Sequence, residues 1–419
     1  MPGCVVCATG PPGLSGYNSA LVTGRTYSAP SSKEKSPILF LGSQMEVAGA
    51  QRVMLSQARW FHAHGYPVQV AFFYDKQGLQ PQWQAENPFP VVSFKAWKHG
   101  AFILFNALRL IPGLLRLYRF LRKEKFPVII TFTPHSNVLG LLVAWLAGVP
   151  YRVATHHGYI EASTLALARI HGWLVNAGMA SALVAVSSQV RNYAIEREKV
   201  RAAKIVVIEN GIEPLERQSL AAAERKALRA QIGIHPDQVL LLTVGRLTIQ
   251  KGHTVLLDAI AELAPRYPQA VFAFAGDGLQ RAKLEQKATQ LAIMDRIRFL
   301  GVRRDVDQLL LAADIFVQPS LWEGLSLAML EALLAGLPVL ATRVEGVMDV
   351  IVDGRDGLLV PPGDPTALAF ALEKLLTDKD LRTRLAKQGK RRAETDYSID
   401  SMCKNYERLL HMLVEAGTA

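Results

Sequence analysis

Short apolar blocks recur along the chain, separated by stretches in which apolar residues return every three or four positions. PILFLGS, VQVAFFY, PVIITFT, RVATH, ALVAVS and KIVVIEN form a first series of blocks. LLLTVGR, AVFAFAG, IRFLG, DIFVQPS and PVLATR form a second. Blocks this short, nearly uniformly apolar and rich in Val and Ile, predict buried strands. The intervening stretches predict helices, among them QRVMLSQARWFHAHG, NVLGLLVAWLAG, SSQVRNYAIEREK, KGHTVLLDAIAEL, LQRAKLEQKATQLA and SLAMLEALLAG. Strands that alternate with helices imply parallel sheets covered on both faces. The series occurs twice, so the expected fold is α/β, with two doubly wound Rossmann-like domains facing across a cleft. The boundaries read as an N-terminal domain over 36–212, a C-terminal domain over 213–395, and a last helix, 396–419, crossing back to the first domain. Residues 1–35 are rich in Gly, Pro, Ser and Thr without periodicity, and predict a disordered tail.

Composition narrows the class. At 419 residues, half of them hydrophobic and a fifth charged, the chain can bury two cores without staples. Three cysteines suit a reducing cytosol, and Cys4–Cys7 stands without a second pair that would make it a metal site. No secretory signal is visible, and no apolar run reaches the ~20 residues of a membrane span. The expectation is a cytoplasmic protein, at most peripheral on the inner face of the membrane.

The formal charge of +11 is unevenly placed: Lys95 to Lys125 holds eight Lys/Arg and one acid, Glu124. Read as a helix, that segment sets Arg109, Arg116, Arg119 and Lys123 on one stripe. Leu104, Leu108, Ile111, Leu115 and Tyr118 fall on another. Residues 101–125 thus suit an anionic membrane surface; they equally suit a core-facing helix with a solvated basic side. No nucleic-acid motif accompanies the charge.

Two segments carry chemistry. After the strand LLLTV, Gly245 turns the chain, and Arg246 and Lys251 precede a helix that starts beyond Gly252. Two cations beside a helix start at a strand's carboxyl end can hold an anion; they can also be solvated surface charges. The second segment, QPSLWEGLSLAMLEALLAGLPVLAT, is nearly all apolar yet holds Glu323 and Glu331, eight positions apart, with no cation until Arg343. Buried carboxylates need donors. A polyhydroxyl ligand could provide them, and the amides of Gly324, Leu325 and Ser326 at the helix start could serve that ligand too. Glu331 also fits a structural carboxylate bonded locally. The pattern Asp305-Val306-Asp307 precedes QLLLAADI and reads as a helix start, with the acids capping the first amides.

WEGLSLAMLEALLAGLPVLAT resembles the E-x7-E signature of glycosyltransferase family 4, the group 1 transferases with the GT-B fold. The likeness extends in order through VAGAQRV, ATHHGY, VVIENGI, VGRLTIQKG, FAGDG and EGVMDVIVDGRDGLLVPPGD. It implies a retaining, metal-independent hexosyltransferase, with no cofactor, moving a sugar from a nucleotide-diphosphate sugar such as a UDP-sugar. The acceptor is expected to be a glycan or lipid-linked glycan of polysaccharide or lipopolysaccharide synthesis. Soluble synthases acting on a free sugar, and non-catalytic subunits that bind nucleotide sugar, are the alternatives.

The resemblance also assigns roles. Arg246 and Lys251, beside Gly245, match the cations on the donor diphosphate. Glu331 matches the acid on the ribose. Glu323, with Gly324, Leu325 and Ser326, matches the group around the donor sugar. His157 matches a histidine near the reacting carbon, with His156 as a strand-end neighbour, and Gly49 matches a glycine approaching the phosphates. The departures are Ala48 in the first position of a usual Gly-Gly pair, Gln51 where an acid is common, Glu345 before Gly346, and Asp349 for a usual Glu.

Overall fold

The computed structural model describes residues 35–158 and 165–418. The expected disordered tail and the Cys4–Cys7 pair lie outside the described residues; Cys403 is a buried thiol. The chain divides into two compact units, one from Met1–Glu209 with Cys403–Ala419, the other from Asn210–Met402.

The first unit is a seven-stranded parallel sheet ordered β3-β2-β1-β4-β5-β6-β7. Its strands are β1 (Ile38–Met45), β2 (Val68–Asp75), β3 (Val91–Ser93), β4 (Val128–Phe132), β5 (Tyr151–His156), β6 (Ala182–Ala185) and β7 (Ile205–Val207). The helices are α1 (Gly49–Ala63), α2 (Gln80–Glu86), α3 (Ile103–Glu124), α4 (Leu141–Ala147), α5 (Leu165–Asn176) and α6 (Ser188–Tyr193). The stretch NVLGLLVAWLAG is helical as expected, but it opens with a π turn, Ser136–Gly140. Helix α1 starts at Gly49, two residues earlier than the pattern suggested, because Ala48 already accepts the amide of Arg52 at 3.0 Å.

Helix α3 resolves the ambiguity of its two stripes. Its inner face is Asn106, Gly113, Leu117 and Leu121. Gly113 lets the helix press on the loop beneath, since a Cβ there would lie 2.2 Å from that of Ala96. Leu117 and Leu121 join the buried cluster of Leu39, Phe73, Ile129 and Val143, so α3 and α4 cover the same sheet face. Leu104, Leu108, Ile111 and Leu115 point away from the core and are exposed.

The second unit is a six-stranded parallel sheet, β10-β9-β8-β11-β12-β13. Its strands are β8 (Val239–Val244), β9 (Ala270–Ala275), β10 (Ile297–Gly301), β11 (Ile315–Gln318), β12 (Val339–Thr342) and β13 (Leu358–Val360). The helices are α7 (Ala222–Gln231), α8 (His253–Leu263), α9 (Arg281–Gln290), α10 (Val306–Ala312), α11 (Leu327–Leu334), α12 (Glu345–Met348), α13 (Pro365–Thr377) and α14 (Lys379–Asp396). Its core packs Leu257 and Ile260 of α8 and Leu368 and Leu372 of α13 on Leu241, Phe272 and Ile315.

Helix α15 (Ile399–Thr418) starts in this unit and belongs to the first from Cys403 onward, where Glu407 accepts the Tyr66 hydroxyl at 2.7 Å. Of the two acids at the start of α10, Asp307 lies in the first turn as expected, whereas Asp305 behaves differently. Asp305 stands at the N-cap position but caps no amide; its carboxylate pairs with Arg303 at 2.6 Å, a charged donor that outcompetes a backbone N–H. Among the described residues, no helix is long and apolar enough to cross a membrane.

Candidate functional site

In a doubly wound sheet, ligands bind beyond the strands' carboxyl ends where the strand order reverses. In the second unit that point lies between β8 and β11. The loops leaving these two strands carry Arg246, Lys251 and Glu323. After β8 the chain makes a 3-10 turn, Ile249–Lys251, and Gly252 caps α8 at φ +63°. A Cβ on Gly252 would lie 1.9 Å from the Pro319 carbonyl oxygen, so only glycine lets this loop lie against the one after β11. The two loops are bonded together: the Leu321 amide donates to the Gln250 carbonyl at 2.8 Å, and Gln250 Nε2 donates to that of Trp322 at 3.1 Å.

The acid that had no nearby cation in the sequence finds one here. Lys251 Nζ lies 2.5 Å from Glu323 Oε2, and Ser320 Oγ donates to the same oxygen at 3.2 Å. The family resemblance put the cations on phosphate and the acids on hydroxyls; in this structure one of each forms an ion pair. Arg246 is exposed and has no ion pair among the described residues.

Gly324, Leu325 and Ser326 follow Glu323 into the buried start of α11. Their amides donate to no protein acceptor among the described residues. Ser326 is the cap: its Oγ accepts from the Met329 amide at 3.3 Å and donates to Gln318 Oε1 at 2.6 Å. Glu331 is buried in the second turn of α11. Free amides, an exposed guanidinium and an ammonium held by a carboxylate thus gather at one switch point, which suits a ligand carrying both phosphate and hydroxyls.

In the first unit the order reverses between β1 and β4. Thr133, just past β4, has φ +78°, a conformation a β-branched residue adopts only when its surroundings impose it. Its Oγ1 is 2.6 Å from Ser43 Oγ, which accepts the Ser136 amide at 3.0 Å. His157 follows β5 and stacks on Phe132, with ring centroids 5.1 Å apart. Its Nε2 lies 2.9 Å from Thr155 Oγ1, whose own proton goes to the Thr131 carbonyl at 2.9 Å. Nε2 is therefore the donor, leaving Nδ1 as a bare acceptor, buried and without a hydrogen-bond partner among the described residues. A cavity of about 100 Å³ is lined here by Thr133, Asn137, Thr155 and His157.

Burial, and secondarily the neighbouring His156, push His157 down from 6.5 to about 3. The imidazole is thus neutral over the working range. The pH profile of turnover should show no acid limb near 6.5 from this group. A wild-type limb there that disappears in His157→Gln would contradict the geometry. Gly49 stands exposed as the first residue of α1, rather than within the preceding loop.

Some of the polar framework lies outside the sequence reading. His156 Nε2 and His171 Nδ1 each donate at 2.9 Å to Glu198, all three being buried. Burial pushes the Glu198 carboxyl up, but the two hydrogen bonds outweigh it and hold it at about 2. Gly172 permits this contact between α5 and the 194–198 turn, as a Cβ there would meet the Glu198 carbonyl oxygen at 1.9 Å. His253, at the start of α8, is buried against Phe274 and is pushed down to about 3 by burial and then by Lys251. Glu198 sits 42 and 27 residues from its partners, a spacing with no local signature. Thr133 was within reach of sequence, since TFTPHS places hydroxyls and a proline directly at a strand end.

Residues 224–392 match the family model described as glycosyl transferases group 1, and residues 48–211 match a glycosyl transferase 4-like domain. The UDP-Gal:alpha-D-GlcNAc-diphosphoundecaprenol alpha-1,3-galactosyltransferase of Escherichia coli is 32% identical over 278 residues, covering 65% of this chain and 72% of that protein. The lipopolysaccharide core biosynthesis glycosyltransferase LpsE of Rhizobium meliloti is 35% identical over 182 residues, 43% of this chain and 52% of that protein. Among solved structures, HepE of Anabaena in complex with UDP-glucose superposes with a TM-score of 0.78 at 23% identity, covering 90% of this chain and 99% of that one. WaaG, a glycosyltransferase involved in lipopolysaccharide biosynthesis, gives 0.70 at 21% identity, over 89% and 99%.

Proposed function

The chain belongs to the group 1 glycosyl transferases and has their two-domain α/β GT-B fold, and from this premise we propose that it moves a sugar from a UDP-sugar onto a glycan or lipid-linked acceptor in cell-surface polysaccharide or lipopolysaccharide synthesis. The transfer retains the anomeric configuration, needs no metal ion, and takes place at the cytoplasmic face of the membrane. The observation that carries the reading is the meeting of Lys251, Glu323 and three unbonded amides at the β8/β11 switch point. The E. coli relative, whose name gives UDP-galactose as donor and a diphosphoundecaprenol acceptor, supports the lipid-linked class.

Cleavage of the sugar–phosphate bond leaves positive charge on the anomeric carbon and negative charge on the departing diphosphate. Arg246, Lys251 and the start of α8 stand where they can take up that negative charge. In the free protein Glu323 holds Lys251. When the donor binds, the diphosphate competes for the ammonium, and Glu323 turns to the sugar hydroxyls beside the amides of Gly324 and Leu325. Glu331 serves the ribose. The bare Nδ1 of neutral His157 accepts from a sugar hydroxyl. With the sugar hydroxyls drawing on its charge, Glu323 is a poor nucleophile, so the acceptor attacks from the face the diphosphate leaves and gives its proton to that phosphate.

The test is slow donor hydrolysis, which requires no acceptor, screened over nucleoside-diphosphate sugars with excess EDTA present. Turnover of at least one UDP-sugar, undiminished by EDTA, is expected. Hydrolysis of none, or only after a divalent ion is restored, would overturn the reading.

A further inference from the structure

We propose that the outer face of α3, continued by α4 and α5, is a docking surface for an anionic lipid bilayer. The connections β3→β4, β4→β5 and β5→β6 run in one direction across the sheet. Right-handed crossovers therefore place α3, α4 and α5 side by side on one sheet face. On α3, Leu104, Leu108, Ile111 and Leu115 are 75%, 68%, 65% and 48% exposed. At about 100° per residue they fall on one stripe, diametrically opposite the inner stripe of Asn106, Gly113, Leu117 and Leu121. The same layer exposes Trp145 on α4 and Trp173 on α5. Single exposed leucines are ordinary, whereas four aligned apolar residues spanning roughly 17 Å of a 22-residue helix mark an interaction surface.

Charge identifies the occupant. Arg119, Arg122 and Lys123 are exposed at the carboxyl end of α3, and Lys125 follows. Among the described residues neither Arg119 nor Arg122 has an ion pair, and Lys123 meets only its exposed neighbour Glu124 at 3.6 Å. An apolar stripe with exposed cations at its carboxyl end and tryptophans in the same layer is what a helix lying in the interface of an anionic membrane presents. A second copy of the chain would bring the same cations against each other. The proposal extends the functional reading to a partner, and it would place the first unit's sheet face toward the lipid in which a lipid-linked acceptor is held.

Vesicle binding needs no sugar, so its outcome is separate from that of the donor screen. Full-length protein is floated with vesicles of phosphatidylcholine alone or with about one-third phosphatidylglycerol, at about 0.1 M and 1 M salt. Binding to the anionic vesicles at the lower salt is expected. The triple variant Leu104→Ser/Leu108→Ser/Ile111→Ser, and separately Arg119→Glu/Arg122→Glu/Lys123→Glu, should each lower partitioning at least about tenfold, with donor hydrolysis in solution unchanged. All six residues are outside the core; Leu108→Ser alone, with a smaller drop, serves if the triple apolar variant unfolds. Acyl chains carrying bromine should quench wild-type fluorescence, and less so Trp145→Phe/Trp173→Phe. Equal binding to neutral vesicles, partitioning untouched by both variants, or a dimer that the serine variant dissociates without any vesicle binding would overturn the proposal.

Discussion

Lys251→Ala should lower turnover at saturating donor by roughly 10²–10³, the usual consequence of removing one fixed donor from a developing negative charge. The same change strands Glu323, whose side chain is only 10% exposed. Breaking such a pair from one side typically costs about 3–5 kcal/mol when fully buried, and less here because Ser320 remains and solvent reaches the rim. Two effects are therefore superimposed, and a second variant separates them. Lys251→Met/Glu323→Gln removes both charges, so it should regain much of the lost stability while recovering none of the turnover. Chemical denaturation and donor-hydrolysis rates measured on the same preparations decide the matter. If turnover of Lys251→Ala stays within about threefold of wild type, Lys251 has no part in stabilising the leaving group. If the double variant is active, the ion pair is structural.

The pairing at the centre of that prediction shows what one dimension hides. Apolar blocks of four to eight residues were enough to place most strands, because a strand buried on both faces has a nearly uniform pattern. Of the three strands of three residues, β7 was placed within KIVVIEN, whereas β3 and β13 were not. Arg246, Lys251, Glu323 and Glu331 were each legible as candidates from a cation after a strand and an acid in an apolar run. That Lys251 neutralises Glu323 was not, because the two lie 72 positions apart and meet only when β8 and β11 become neighbours. Helix α3 failed in a different way. The stripe of Leu104, Leu108, Ile111 and Leu115 fits a core face by periodicity, yet the helix buries Asn106, Gly113, Leu117 and Leu121 instead. Asn106 is tolerated there because its amide bonds the Lys98 and Ala101 carbonyls, at 3.1 and 3.2 Å, and its Oδ1 accepts the Lys98 amide at 2.8 Å. Gly113 is favoured because of Ala96.

The fixed position of the amides after Glu323 depends on a residue of a neighbouring helix. Gly346, in the short helix α12, lies so close under the loop after β11 that a Cβ would sit 1.7 Å from the Gly324 carbonyl oxygen and 2.5 Å from that of Glu323. Both are backbone atoms, so no side chain can swing aside to relieve the contact. Gly346→Ala must push α12 or the 323–326 loop away by more than an ångström. The anchors of α12 resist: Val347 and Val350 are wholly buried, and the Val347 amide bonds the Val344 carbonyl at 2.9 Å. The loop has fewer ties, with its amides unbonded, so it should yield, carrying Glu323 off Lys251 and the amides off their aim. A displacement of about 1 Å in positioning groups costs on the order of 10² in rate. Gly346→Ala should therefore lose about 10²-fold in turnover, with weaker donor binding, while the unfolding midpoint falls by only a few degrees, as for a loss of about 1–2 kcal/mol. Wild-type turnover in a folded Gly346→Ala protein would mean that the loop's position does not govern the reaction. Collapse of the fold, with no soluble protein, would mean that α12 yields and not the loop.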